Sequence, residues 1–519
     1  MIRVLRPFLY FLPLAAVAQT VVFLEPAANT SIDTSRPGIR EQMPLYRTVA
    51  DSSRYSPWLE NEWARRALRL YETAWKQAER SGRQPQEYYV ALVPGGNHAA
   101  AGFRLETAGG VNDFPRVAYM ILGPDEGSFG DTFLHETGHV AMRMLAGGRE
   151  LPGAEVSSIP HSTAALSDRA TAFSEGFAIH LETLAAHLAT SRAARDYYHH
   201  EAFRFSGAPY KMDEYFRHAS DLATYAQTLA RYTEVRDNHF AFAPAWRGPD
   251  YLRVQLEKAR DFSQLRDANQ LLQSEGFHAT FFFCWVAHGP GLPDDSAWLA
   301  REERVFQAMA VVFDAVQPEP DTPWLLYFVQ HYLRMFPGER EKIVAAFNDL
   351  SHGVFVDPEA GALWRAHYTA ALRLDLKGLN RDTILASRKL WNQRVADDPQ
   401  VIFSRIGPQV PCRVTSVPVK LEAFGDAAPL VFDANTAHEG ILQLIPGIRA
   451  EQVERWMAER SSKPFSSLED VRRRTGVKAI TNGPLSHGIP RSAGLTRTGA
   501  ASSQAGGRAL SASSHRRCN

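Results

Sequence analysis

The chain has 519 residues, with 57 Lys plus Arg against 57 Asp plus Glu, 45% hydrophobic residues and only three cysteines. That length exceeds what one hydrophobic core fills, so two or more folded units are expected. Zero net charge excludes a global attraction to nucleic acid or anionic membranes, and three cysteines exclude a fold resting on a disulfide framework.

The first residues, MIRVLRPFLYFLPLAAVAQT, set Arg3 and Arg6 ahead of an apolar run that closes on Ala16, Val17 and Ala18. This pattern predicts a cleaved export signal over residues 1–18 and a periplasmic or secreted protein. Pro7 and Pro13 interrupt a run already too short for a bilayer, so no integral membrane span is expected after cleavage. Residues 19–55, rich in Pro, Ser, Thr and Asn without a steady period, read as an extended lead-in.

From Pro57 to about Ser81, Leu59, Trp63, Ala67, Leu70 and Ala74 recur near helical spacing. Three β-rich runs follow, near 87–95, 101–107 and 116–124, punctuated by glycine pairs, and predict a small antiparallel sheet. The segment GDTFLHETGHVAMRMLAGG then reads as a helix, with Asp131 as candidate N-cap and Gly147 and Gly148 as the stop. From about 165 to 395 the periodicity is helical.

His135 and His139 stand four apart on that helix, so both imidazoles leave one face and can reach a single ion at about 2.0 Å. Glu136 lies beside them, placed to act as general base toward a metal-activated water in peptide-bond hydrolysis. Uncharged Phe133, Leu134, Thr137, Gly138, Val140 and Ala141 flank the motif, as a half-buried helix requires. Zinc catalysis needs a third protein ligand, and AFSEGFAIHLE over 172–182 supplies a candidate.

HETGH followed by SEGFA resembles the gluzincin clan of zinc metallopeptidases. That resemblance implies that Glu175, on a second helix, completes a one-zinc site with His135 and His139. It also implies that a strand ahead of the motif helix, RVAYMILGP or AGFRLET, holds the backbone of a peptide or protein substrate. Ser174 and Ile179 stand where known members carry Asn and an acidic residue. Glu275, in a second SEGF at 274–277, is the rival third ligand, and His180 turns away from Glu175 on a helix. Tyr197, Tyr198, His199, His200, Tyr225 and Tyr232 stay open as oxyanion donors. Asp131, Asp168 and Glu182 are candidates for orienting the histidines.

Residues 396–432 turn to prolines and β-branched residues, a linker or small β element. Residues 432–477 are similar to the helix-hairpin-helix units of competence-type DNA receptors and of the type II secretion minor pseudopilin K. Physically, a helix from Thr436 to Leu444, a turn at Pro446 and Gly447, a helix from about Ala450 to Arg460 and a further helix capped by Ser466 or Ser467 are expected. The resemblance implies phosphate contacts from Gly447, Arg449, Arg455, Lys463 and the run Arg472, Arg473 and Arg474, or a contact with an envelope protein. The tail 479–519 lacks the apolar residues that offset ordering entropy and reads as disordered.

The expected fold is therefore mainly α with a small antiparallel sheet, an α+β zincin-like domain over 56–395, plus a small all-α helix-hairpin-helix domain over 433–478. A non-catalytic binding protein that uses its C-terminal module on DNA or on a secretion or uptake machine is the competing reading.

Overall fold

The computed structural model describes residues 21–27, 43–151, 166–188, 235–244, 260–287, 295–408, 417–421 and 430–482, apart from 85, 150, 237, 436, 438–441, 444 and 464 within them. The expected signal, the expected disordered tail from residue 483 onward and all six oxyanion candidates lie outside these residues; the first residues of that tail are instead folded, with Ile480 buried and Thr481–Asn482 in a strand, because Ile480 joins an apolar core that the polar composition around it did not announce.

The architecture is α+β: a five-stranded sheet and a larger body of helices. The strands are β1 (Val21–Pro26), β2 (Leu45–Thr48), β3 (Tyr88–Leu92), β4 (Asn97–Thr107) and β5 (Gly110–Leu122). Their order is β1-β2-β4-β5-β3, with β3 returning to β1. The sheet is mixed rather than antiparallel: β1 with β3, β2 with β4 and β3 with β5 run parallel. The long hairpin of β4 and β5 carries the antiparallel signal that the local sequence displays. Two of the strands come from the segment expected as a lead-in. They are short, and parallel pairing depends on partners dozens of residues away, so no local alternation announces them.

Side chains of the sheet divide between two cores. Leu24, Tyr46, Tyr89, Phe103, Tyr119 and Ile121 pack together on one face. Phe23, Tyr88, Val90, Met120 and Leu122 alternate with them and join the main helical core.

Helix α1 (Glu62–Arg80) buries Trp63, Ala67, Leu70 and Ala74 of the expected stripe, together with Tyr71 and Ala78, while Leu59 falls in the segment before it. It starts five residues after Pro57, because 53–60 forms a tighter 3-10 segment and the Asn61 side chain then caps the α-helix by accepting the Ala64 N–H at 2.8 Å. Helix α2 (Asp131–Leu145) carries the HETGH motif, and its N-cap is Gly130, so Asp131 is the first helical residue rather than the cap.

Helix α3 (Arg169–Leu188) carries SEGFA. Asp168 precedes it and accepts the Thr171 N–H at 2.8 Å, which is the work of a helix cap and not of a partner to the histidines. Two glycines let its neighbours close on it. A Cβ at Gly138 of α2 would sit 2.8 Å from Leu181 Cδ1 and 3.4 Å from the Ala178 Cα, so the bare backbone brings α2 and α3 together. A Cβ at Gly176 would collide with His278 Cβ of α5 (Glu275–Ala287), which follows the short α4 (Ala268–Leu272).

Helix α5, with FFFCWV, is buried around nearly its whole circumference. Behind α3, His180 Nε2 meets Glu302 Oε1 at 2.7 Å with both side chains fully buried, fastening it to α6 (Asp295–Ala315). His180 is thus a core residue facing away from the site.

Helices α7 (Trp324–Met335), α8 (Arg340–Leu350), α9 (Ala360–Leu372) and α10 (Arg381–Asp397) complete the body. Among the described residues no helix is long and apolar enough to cross a membrane.

A separate core forms between residues 417 and 480. Strands β8 (Pro418–Leu421) and β9 (Leu430–Asp433) pair with β10 (Thr481–Asn482) in the order β10-β8-β9, apart from a two-stranded pairing of β6 (Phe242–Pro244) and β7 (Arg260–Leu265) in the main body. Against that sheet pack α11 (Ala450–Ser462) and α12 (Leu468–Thr475), through Val453, Trp456, Leu468 and Val471. The unit is therefore not all-α: Val417, Val419 and Phe432, expected in a linker or small β element, share its core. Ser467 caps α12 as expected, accepting the Asp470 N–H at 3.1 Å. Most of the preceding helix expected from Thr436 lies outside the described residues.

Candidate metal centre

Helix α2 is buried on the side formed by Phe133, Leu134, Val140 and Ala141, which fixes its rotation and turns His135 and His139 toward α3. The contact through Gly138 sets the spacing, and Glu175, one helical turn before Ala178 and Ile179 on α3, reaches the same point. The two Nε2 atoms lie 3.1 Å apart, and the Glu175 carboxylate oxygens lie 3.3 Å from that of His135 and 3.4 Å from that of His139.

These separations match a metal site. Tetrahedral donors about 2.0–2.1 Å from one ion stand roughly 3.3 Å from each other. Among the described residues this is the one group of three such side chains whose ligand atoms converge, and it can hold a metal ion. Glu275, the rival ligand, is buried at the start of α5 and is not in the group.

The outward nitrogens of both histidines are engaged. His135 Nδ1 lies 2.6 Å from Glu182 Oε1, and His139 Nδ1 lies 3.0 Å from Ser174 Oγ. With Nδ1 donating, each Nε2 lone pair points at the common centre, as ligating imidazoles require. Of the three orienting candidates, Glu182 takes the part, two turns beyond Glu175 on the same face of α3. Ser174 is the residue that sequence reasoning passed over. It counted only as a departure from the expected Asn, although a hydroxyl immediately before a ligand can serve the other histidine.

Glu136 is 5% exposed and accepts the backbone N–H of Ala99 on β4. Burial pushes its carboxyl above the ordinary range, against the pull of His135, His139 and the Ala99 N–H. A buried carboxylate with a raised pKa beside a metal-ligand set suits proton transfer near neutral pH.

The Ala99 contact also locates the sheet edge. Strand β4 pairs with β5 through residues 97–101, whereas β2 meets β4 at 104–106, so among the described residues 97–101 have no strand on their other side. Because the Ala99 N–H bonds Glu136, that open edge faces the site. AGFRLET was one of two strands expected there; the part beside the site is NHAAA, just before it.

For His135, burial would depress the imidazole pKa, but the Glu175 and Glu182 carboxylates outweigh it and hold it well above its ordinary value. Such a raised value stabilises the metal-free fold fully below a pKa of about 6.5 and is lost as pH rises through the folded-state pKa. A metal must displace that proton. The increment in melting temperature given by a divalent ion is therefore expected to grow with pH, affinity rising about tenfold per unit while one proton is released. Titrations of metal into chelator-stripped protein from pH 6 to 9, in steps of about one unit, check it; a flat profile contradicts a protonated His135.

No protein-family model, curated protein or solved structure matches the chain.

Proposed function

We propose that the protein is an exported zinc-dependent peptidase of gluzincin type, with His135, His139 and Glu175 as ligands and Glu136 as general base. The observation that carries this reading is the convergence of three donors within 3.4 Å, with a buried glutamate next to the first ligand and both outer nitrogens occupied. Two neutral imidazoles and one carboxylate are a donor set that suits zinc, and they leave a fourth position open.

When bound, zinc would polarise the scissile carbonyl and lower the pKa of a water in the open position. The chain's own residues do the rest. Among the described residues no strand pairs with the outer edge of 97–101, so its backbone groups other than the Ala99 N–H, which Glu136 holds, can take an extended peptide as an added strand. This would lay a scissile bond across the mouth of the site and exclude folded or helical substrates. Glu136, with one side anchored on the Ala99 amide, accepts a proton from the attacking water and returns it to the leaving amine.

A second reading attaches to the C-terminal unit. Gly447 adopts φ 72°, the left-handed conformation that a tight turn before α11 demands. Arg449 at the start of α11, Arg455 along it and Lys463 at its far end are exposed. By contrast, Arg474 is used internally, on Glu459 Oε2 at 2.9 Å and the Lys463 carbonyl at 2.7 Å. This supports a helix-hairpin-helix module that contacts DNA phosphates or an envelope protein, either beside a peptidase or in a non-catalytic binding protein.

Metal content decides between peptidase and binder. The purified chain is expected to carry about one zinc, to hydrolyse unfolded protein substrates, and to lose activity on chelation with recovery on zinc addition. Protein without zinc that still retains DNA on a gel favours the binding protein.

A further inference from the structure

Seven large hydrophobic side chains are strongly exposed among the described residues, and five of them are leucines between 372 and 390. They decorate one helical hairpin, α9 and α10 with the turn between them. Leu372, Leu374 and Leu376 sit at its tip, 65%, 85% and 80% exposed.

The tip is ordered by its own hydrogen bonds. The Asp375 N–H reaches the Ala370 carbonyl at 2.9 Å and the Leu374 N–H reaches Ala371 at 3.1 Å, the paired bonds that close a helix C-terminus. Asp375 Oδ1 accepts the N–H groups of Lys377 and Gly378 at 3.1 and 3.0 Å, so this carboxylate is turned onto the backbone. Leu374 occupies the closing position, where the chain needs positive φ and glycine or asparagine is favoured, and it adopts φ 54°. A leucine there strains the backbone and contributes no burial within the chain.

The charge around these leucines is one-sided. Residues 360–397 contain seven Lys plus Arg against three Asp and no Glu, in a chain whose total is balanced. Arg373, Lys377 and Arg381 are exposed at the tip, while Arg388 is engaged with Asp349 at 2.6 Å. Exposed leucines interleaved with exposed cations at a hairpin tip suit a deformable apolar medium under an anionic surface.

We propose that the α9–α10 hairpin docks the protein on an anionic phospholipid bilayer, with Leu374 and Leu376 entering the headgroup–acyl boundary and Arg373, Lys377 and Arg381 meeting lipid phosphates. The proposal does not depend on the metal centre, and its readout is independent of hydrolysis.

The test is co-sedimentation of the full chain with vesicles of phosphatidylcholine, with and without phosphatidylglycerol. Binding is expected only to the anionic vesicles. The double variant Leu374→Glu, Leu376→Glu should lower it roughly tenfold or more, and Arg373→Ala or Lys377→Ala about fivefold each. These positions are exposed, so circular dichroism and melting should stay as in the parent. Absence of binding overturns the proposal, as does binding that the leucine variant retains, since other segments would then carry it. If sedimentation velocity shows the leucine variant dissociating an oligomer of the parent, the patch is a contact between copies and the proposal is overturned.

Discussion

Glu136→Gln is expected to lower peptide hydrolysis about 10²–10⁴-fold or more while leaving zinc content unchanged. Glutamine keeps the size of the side chain, and its amide oxygen can still accept the Ala99 N–H that the carboxylate accepts now. It cannot take a proton from water. The side chain is not one of the three converging donors, so the ligand set stays whole. Single-turnover hydrolysis beside metal analysis checks this. Unchanged activity would remove Glu136 from the chemistry, and loss of zinc together with activity would mean that the residue holds the ion or the fold instead.

Glu175→Ala is expected to weaken zinc binding by more than about 100-fold, since even partners behind the ligands contribute about 10–100-fold. Glu182→Ala should fall within that smaller range, because it acts through His135 Nδ1. Metal-free Glu175→Ala should melt below the metal-free parent, because the carboxylate that helps hold the His135 proton is gone, while the upward shift on adding zinc to the variant largely disappears. A retained shift would show that the ion sits elsewhere. A parent with no shift at all would leave the C-terminal unit as the better guide to function. Glu275→Ala serves as the contrast: buried outside the donor group, it should leave zinc stoichiometry alone in whatever folds.

The HETGH motif was legible because its information is local. Helical period alone puts His135 and His139 on one face, and apolar neighbours on the other side say which face is buried. The stripe of α1, the β4–β5 hairpin and the Ser467 cap are local in the same sense. Glu175 lies 36 residues past His139, a spacing that no helix geometry dictates, and it came forward only through the likeness of SEGFA to a known clan.

Tertiary structure decided what depends on distant partners. Whether Glu175 or Glu275 joins the histidines turns on the contact that Gly138 permits between α2 and α3. Which acid meets His135 follows from the rotation of α3, held from behind by His180 and Glu302; this brings Glu182 to the imidazole, while Asp168 bonds Thr171 instead. Strands β1 and β2 pair antiparallel with each other across about twenty residues and take their second partners, β3 and β4, in parallel, so partners distant in sequence define both. Strands β8 and β9 became part of the C-terminal unit because their apolar residues share one core with Trp456 and Val471. By itself the sequence singled out two candidate ligands, the proposed base beside them and the helix that carries all three, since one helical turn contains that information. The third member of the converging group, the residues that bond its histidines and the open sheet edge required packing of separate segments, because the free energy that places them comes from contacts between residues far apart in the chain.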